Sequence, residues 1–237
     1  TCAVLLNGQL YCWGRNQYGE LGDGTFAPRS LPTLVMGLGG VQHIGAGHLH
    51  TCALDTAMQL YCWGNNAYGQ LGDGTTVNRT SPVLVSDPNG AWAAVGGLQS
   101  VAAGRTHTCA LTESGQAYCW GHNVWGELGD GSTTNRDMPT LVTGLGALQQ
   151  ISVGYSQTCA ANAGGQLYCW GHNAWGALGN GSTTDQPSPV LVSDFYSPRT
   201  PVIFIPGILG SVLANTIAGQ EQVVWPDVHA IADDNLD

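Results

Sequence analysis

Short apolar stretches recur along the whole chain, and Gly or Pro interrupts the pattern about every ten residues. Periodic segments of helical length are absent from the pattern, so the chain is predicted to consist of strands and turns. In a representative stretch, the predicted strands are Leu98–Ala103, His107–Thr112, Gln116–Trp120 and Pro139–Val142. Successive groups of four short strands, separated by turn residues, predict an all-β fold.

The same pattern occurs four times, in repeats that start near residues 1, 52, 109 and 159. Each repeat has two cysteines separated by 10 positions, and the pairs follow one another at intervals of 50, 57 and 50 residues. This period, with four strands per repeat, favours β-propeller blades over helical repeats. We expect residues 1–194 to form a partial propeller of about four blades. The longer second repeat is expected to carry a loop insertion containing Trp92.

The cysteine spacing fits a β-hairpin with a short loop. If Cys109 faces Cys119, the loop is Glu113–Gly115, and its last residue should adopt a left-handed conformation. The other repeats have Gly8, Met58 and Gly165 at this position. Facing residues have Cα atoms about 4.5–5.5 Å apart, which suits a disulfide. We predict the disulfides Cys2–Cys12, Cys52–Cys62, Cys109–Cys119 and Cys159–Cys169, the alternative being buried thiols. Disulfides in every repeat indicate an oxidising compartment, hence export.

Two metal-binding patterns compete with these interpretations. Cys119 and His122 have zinc-like spacing, but the first two repeats carry Arg15 and Asn65 at the histidine position. The Leu-Gly-Asp-Gly-Thr elements lack the alternating acidic residues of a calcium loop, and a turn explains their Asp-Gly. We therefore predict neither a metal site nor a cofactor.

The composition narrows the classes of partner. The chain has 237 residues, a net charge of −10 and no lysine, which disfavours a nucleic-acid partner. The most apolar stretch, residues 201–218, contains two prolines and two glycines, so no integral membrane segment is predicted. Eight Trp, eight Tyr and 43% hydrophobic residues indicate a folded core rather than disorder.

Aromatic residues recur at two positions of each repeat. The first set follows the second cysteine and is expected to pack between blades, because a single blade cannot bury its own faces; it comprises Trp13, Trp63, Trp120 and Trp170. The second set lies five residues later, in a predicted rim loop, and comprises Tyr18, Tyr68, Trp125 and Trp175. For this second set, packing and partner binding both remain open. It is our candidate binding surface for an unidentified protein partner on a propeller face or rim.

The motif Tyr-Cys-Trp-Gly-x-Asn-x-Tyr/Trp-Gly-x-Leu-Gly-Asp-Gly-Thr resembles the regulator-of-chromosome-condensation repeat family. The resemblance implies a blade of a seven-bladed propeller, so four repeats would form part of a larger protein or need blades from elsewhere. The version with cysteine pairs resembles exported bacterial members, which implies a secreted or cell-surface bacterial protein. Family functions diverge, and a rigid protein-binding disc is what they share. The acidic charge and predicted disulfides argue against chromatin binding and cytosolic nucleotide exchange.

The last part of the chain departs from the repeats. Residues 195–200 are predicted to be a linker, and 201–237 the truncated start of another domain. The run PVIFIPGILGSVL, followed by VVWPD, resembles the beginning of the lecithin:cholesterol acyltransferase family of α/β-hydrolases. The resemblance implies an oxyanion loop in which Ile208 supplies a backbone N–H and Gly207 and Gly210 shape the turn. No serine lies in a Gly-x-Ser-x-Gly pattern, so the nucleophile is missing.

These observations lead to two hypotheses about function. The first is an exported propeller module that binds a protein or a surface. Its parent protein would carry a lipase or acyltransferase domain with a lipid or other ester as substrate. The alternative is an interaction scaffold or inhibitor with no enzymatic activity. In either case we predict no esterase activity for this chain alone.

Overall fold

The computed structural model of the protein describes residues 1–193 and the backbone of two short strands near the C-terminus. Residues 1–193 form four consecutive antiparallel sheets. The first contains β1 (Cys2–Val4), β2 (Leu10–Gly14) and β3 (Arg29–Leu34), and the second β4 (Val41–Ala46), β5 (His50–Asp55), β6 (Leu60–Gly64) and β7 (Arg79–Leu84). The third contains β8 (Leu98–Ala103), β9 (His107–Thr112), β10 (Ala117–Gly121) and β11 (Arg136–Leu141), and the fourth β12 (Leu148–Val153), β13 (Gln157–Asn162), β14 (Leu167–Gly171) and β15 (Gln186–Leu191).

Within each sheet the strands follow one another in sequence order, which confirms the predicted all-β repeats. The prediction placed β8 and β9 correctly but missed the start of β11, which begins at Arg136 instead of Pro139. After a register shift between Cys119 and Gly121, β11 stays paired with the last residue of β10, so that Arg136 faces Gly121. Pro139 is tolerated because β11 is an edge strand of its sheet.

The hairpins carry the predicted disulfides, Cys2–Cys12, Cys52–Cys62, Cys109–Cys119 and Cys159–Cys169. Met58 has a φ of 61° and Gly115 a φ of 81°, so the loop position is left-handed even where it is not glycine. The paired Cα atoms lie 4.0–4.1 Å apart, closer than we expected. The Asp55 N–H bonds to the Gln59 carbonyl, and alternation from there makes Cys52 and Cys62 a non-hydrogen-bonded pair. Such pairs bring the strands closest together.

The hydrophobic core lies between successive sheets. Trp63, Trp120 and Trp170 are fully buried, and each packs in a cluster with residues of the preceding sheet. The Trp120 indole N–H donates to the carbonyl oxygen of Gln70 at 3.0 Å. Gly72 makes room for this ring, since a Cβ there would lie 2.6 Å from the indole nitrogen. The interpretation of this aromatic set as packing between blades is therefore correct for these three tryptophans.

The insertion in the second repeat is more ordered than the predicted loop. It forms a 3-10 turn (Pro88–Gly90) and a four-residue helix, α1 (Ala91–Ala94). Trp92 is only 5% exposed, with its ring centroid 6.4 Å from that of Trp120 and 6.1 Å from that of Tyr118. The insertion thus adds an aromatic side chain to the core between the second and third sheets.

The two further strands, β16 (Asn215–Ile217) and β17 (Gln220–Gln222), form an antiparallel pair. The predicted linker and the candidate oxyanion loop at Gly207, Ile208 and Gly210 lie outside the described residues. In the part of the chain that is described, no helix is long and apolar enough to cross a membrane.

Candidate functional site

A buried asparagine organises the loop that follows the second cysteine in each repeat. The Asn66 Oδ1 accepts a hydrogen bond from the Leu71 N–H at 2.9 Å. Its Nδ2 donates to the carbonyl oxygens of Thr75 and Val77 at 3.0 and 3.1 Å. Equivalent bonds are made by Asn16, Asn123 and Asn173. One carboxamide therefore holds together a loop whose backbone has no regular secondary structure.

An ion pair closes the same loop in three of the four repeats. Asp73 accepts hydrogen bonds from Thr75 and lies 2.7 Å from the guanidinium of Arg79. Burial opposes ionisation of Asp73, but the Thr75 hydroxyl and Arg79 lower its pKa below the ordinary value. The corresponding pairs are Asp23–Arg29 and Asp130–Arg136. The Asp-Gly carboxylates thus bind loop residues, and all the cysteine sulfurs are in disulfides.

Residues 1–193 contain no cluster of three His, Cys, Asp or Glu side chains arranged for a metal ion.

The ordered loops bring the second aromatic set to a single concavity of about 790 Å³, called here the aromatic groove. Its wall includes Tyr18, Tyr68, Trp125 and Trp175, one from each repeat. Tyr68 and Trp125 are each 41% exposed, and Trp175 is 91% exposed. Side chains from the turns between the first two strands of a sheet complete the wall. They include Arg105, between β8 and β9, and Tyr155, between β12 and β13.

Two of the groove aromatics pack against histidines of the next sheet. Tyr68 meets His122 edge-on with ring centroids 4.8 Å apart, and Trp125 lies at the same distance from His172. These contacts fix each aromatic ring across a sheet boundary. The aromatic positions therefore have a packing role on one side and an exposed surface on the other.

In the first three repeats, the side chain two residues after the groove aromatic bonds to the loop behind the groove wall. The Glu127 carboxylate accepts the Trp125 N–H at 2.9 Å and lies 2.6 Å from Nδ1 of His122. Its side chain is fully buried, which opposes ionisation, but the bond to His122 lowers its pKa below the ordinary value. In the second repeat, Gln70 makes the corresponding bonds to Asn65 and to the Tyr68 N–H.

The fourth repeat lacks such a side chain. Ala177 stands where the other repeats have Glu or Gln, and its methyl group cannot form a hydrogen bond to His172. Trp175, two residues before Ala177, is the most exposed of the groove aromatics.

The turn between β8 and β9 contributes a cation to the groove. Arg105 places its guanidinium carbon 4.3 Å from the ring centroid of Tyr155, in the neighbouring sheet. The prediction of binding residues missed both side chains. The repeat alignment carried no signal for them, because the equivalent residue in the second repeat is His48.

Comparison with known proteins agrees with this architecture. A family model described as an RCC1-like domain matches residues 1–207. The chain belongs to the RCC1-like domain family. The family match confirms the resemblance expected from the repeats, although it extends past residue 194, where we predicted that they end.

This RCC1-like domain is similar to proteins from plants, animals and fungi. It is 35% identical over 144 residues to the ultraviolet-B receptor UVR8 of Arabidopsis thaliana, covering 60% of this chain and 32% of the receptor. Human WBSCR16 superposes with a TM-score of 0.72 at 26% identity, covering 81% of this chain and 50% of that protein. Prp20p from Saccharomyces cerevisiae superposes with a TM-score of 0.70 at 26% identity, covering 81% and 48%.

The chain thus spans about a third of UVR8 and about half of WBSCR16 and of Prp20p. It spans 13% of mouse HERC4, a probable E3 ubiquitin-protein ligase, and 3% of human HERC2, an E3 ubiquitin-protein ligase.

Proposed function

We propose that this RCC1-like domain is an exported protein-binding module and that the aromatic groove is its contact surface. The observation that carries the proposal is the convergence of Tyr18, Tyr68, Trp125 and Trp175 on one concavity. These residues occupy equivalent positions in four successive repeats, and stacked repeats place equivalent positions on the same face. The repeats therefore combine their exposed aromatic side chains into one surface.

The exposed aromatic surface suits protein recognition. Trp and Tyr are enriched among residues that dominate binding energy, because each buries a large apolar area with few rotatable bonds. Here the backbone N–H groups of Tyr68 and Trp125 are held by Gln70 and Glu127. The two rings also pack against His122 and His172, with centroids 4.8 Å apart. The rings are therefore ordered before a partner arrives, which reduces the entropic cost of binding.

The relatives support a binding role. The structural study of Prp20p describes its binding to Gsp1p and histones, which are proteins. Four disulfides within 193 residues support an extracytoplasmic location, since such bonds persist in oxidising compartments. We extend this to the exported bacterial setting that the sequence resemblance implied.

Site-specific photocrosslinking tests the groove. The crosslinking residue p-benzoylphenylalanine replaces Trp175 in one variant and Leu6 in a matched control. Leu6 is fully exposed and lies in a β1–β2 hairpin turn, away from the groove lining. Each variant is irradiated with extracellular and surface proteins of the producing organism. We expect a discrete adduct at position 175, absent at position 6 and reduced when Trp125→Ala is added. Equal adducts at both positions, or no effect of Trp125→Ala, would contradict the proposal.

A second candidate function rests on the sequence of residues 201–213. Their likeness to the start of an acyltransferase-type hydrolase leads us to propose that a longer parent chain transfers or hydrolyses acyl groups of a lipid or other ester. Its Ile208 N–H would then be one oxyanion donor, within a loop formed by Gly207 and Gly210. The test is to sequence the reading frame beyond Asp237 and assay the full chain on a p-nitrophenyl ester. A frame without a Gly-x-Ser-x-Gly element, or a full chain without esterase activity, rejects this candidate.

A further inference from the structure

Arg105 is set apart from the other arginines of residues 1–193 by its lack of a carboxylate partner. Arg29, Arg79 and Arg136 pair with loop aspartates, and Arg15 lies 3.6 Å from Glu20. Within the described residues Arg105 forms no ion pair, and it is exposed in the aromatic groove. A protein with a net charge of −10 thus presents, among its described residues, a cation without a counterion in the aromatic groove.

No acidic side chain lines the groove among the described residues. Two carboxylates lie behind its wall, and both are engaged. Glu127 is fully buried and bonded to His122, and Glu20 is 8% exposed and accepts the Tyr18 N–H at 2.6 Å. The charge of Arg105 is therefore available to a ligand rather than neutralised by the surrounding wall.

The guanidinium is also held in place. Its carbon lies 4.3 Å from the Tyr155 ring centroid, which restricts the side chain before any ligand binds. A guanidinium that lies over an aromatic ring keeps N–H groups at its edge that can donate to a planar carboxylate. Burial, and then the charges of Arg15 and Arg105, lower the pKa of His48, which occupies the equivalent turn of the second sheet.

We propose that the groove binds an acidic segment of a partner protein, with Arg105 donating to an Asp or Glu carboxylate and the neighbouring apolar side chains packing on Trp125 and Trp175. The proposal rests on the protein-binding function proposed for this groove. A single ordered cation beside large aromatic rings matches one carboxylate flanked by apolar residues. A polyanion such as nucleic acid needs several cations, and the net negative charge of the chain would repel it.

Peptide display tests the proposal directly. Random peptides displayed on phage are selected on the full chain at neutral pH and low salt. An enriched peptide is then synthesised with a fluorescent label, together with an analogue in which every Asp and Glu is amidated. Dissociation constants are measured by anisotropy for the wild type and for Arg105→Gln, Arg105→Lys, Gln99→Glu and Trp125→Ala. Gln99→Glu is the matched control, since it changes the net charge by the same amount as Arg105→Gln at an exposed position that does not line the groove.

We expect the enriched peptides to share an acidic residue next to apolar ones. Arg105→Gln and the amidated analogue should each weaken binding by about tenfold or more, because each removes one side of a charge-assisted bidentate contact. Arg105→Lys should fall between, since it keeps the charge and loses the fork geometry. Gln99→Glu should bind as the wild type does.

The outcomes separate the two proposals. Binding that Trp125→Ala weakens and Arg105→Gln leaves unchanged overturns recognition of a carboxylate and leaves the groove as the contact surface. Peptides that neither substitution affects overturn both. If no peptide is enriched, or if a glycan array shows binding that Trp125→Ala abolishes, both proposals fail, the latter in favour of a carbohydrate ligand.

Discussion

The His50 Nε2 atom lies 2.7 Å from the Thr108 Oγ1 atom, and this contact joins the second sheet to the third. The Thr108 hydroxyl donates its hydrogen to the carbonyl oxygen of Gln70 at 2.8 Å. It must therefore accept from His50, so the neutral imidazole carries its hydrogen on Nε2. Both side chains are fully buried, and burial followed by the charge of His107 lowers the pKa of His50 to about 3.

The same arrangement recurs one sheet further along. His107 Nε2 lies 3.0 Å from the Thr158 hydroxyl, which donates to the Glu127 carbonyl oxygen at 2.9 Å. Burial lowers the pKa of His107 to about 4, with Glu127 opposing and His122 adding to the shift. The fourth sheet has Gln157 at the position of the histidine.

Mild acid should destabilise the fold through these two imidazoles. In the unfolded chain each binds a proton below its ordinary pKa of 6.5, whereas the folded chain binds none until about pH 3 or 4. The free energy of unfolding is therefore highest above pH 6.5 and falls on acidification. Between pH 7.5 and pH 5.0 the loss is about 2 kcal/mol per imidazole, since one pKa unit corresponds to about 1.4 kcal/mol.

Guanidinium unfolding of the oxidised protein at both pH values measures this loss. The double variant His50→Gln/His107→Gln copies the residue of the fourth sheet and should show a much smaller change with pH. A double variant with the wild-type dependence would contradict the assignment. The paired loop aspartates act in a separate range, because their lowered pKa values place their loss below about pH 3.8.

Replacing Gly72 should disrupt the boundary between the second and third sheets. Its φ is +70°, and a Cβ would lie 2.6 Å from the Trp120 indole nitrogen. Gly72→Ala should lower the free energy of unfolding by about 2–4 kcal/mol through backbone strain and overpacking. Gly146→Ala is the control, since nothing lies within 4 Å of its Cβ position and it should change stability by less than about 0.5 kcal/mol. Equal effects of the two substitutions in urea unfolding would rule out this explanation.

Removing the buried carboxamide of Asn66 should loosen one groove loop. Asn66→Ala leaves the Leu71 N–H and the carbonyls of Thr75 and Val77 without their bonds. We expect a loss of about 2–4 kcal/mol in stability, together with faster amide hydrogen exchange in residues 66–79. The exposed Asn7 is the control, and Asn7→Ala should leave both measurements near wild type. Unchanged exchange in the loop of Asn66→Ala would show that the carboxamide does not organise it.

The disulfides should be both complete and stabilising. Native protein treated with iodoacetamide should gain no mass, whereas reduced and unfolded protein should gain eight additions, one for each cysteine. Cys109→Ser/Cys119→Ser opens a short loop and should cost up to about 3 kcal/mol in guanidinium unfolding. Alkylation of the native chain, or a variant as stable as wild type, would be inconsistent with the bonded pairs.

The hairpin features followed from the sequence because the interactions involved are local. The two cysteines of a pair are 10 residues apart, so a single loop length sets both their register and the left-handed position that Met58 fills in the second repeat. The four-fold repeat then predicted sheets of the same kind along the chain, and the second aromatic set marked one position in each. Asn66 and its equivalents were visible in the motif, but their role was not, because the bonds that they make depend on how the loop folds.

Contacts between sheets were decided by tertiary structure. His50 and Thr108 are 58 residues apart, and Trp92 reaches Trp120 through an insertion that has no counterpart in the other repeats. Arg105 and Tyr155 occupy a turn position whose residue type varies between repeats. The sequence by itself therefore determined the blades, their disulfides and the candidate aromatic positions. The packing of one sheet on the next decided which side chains share the groove, since it depends on contacts between residues that only folding brings together.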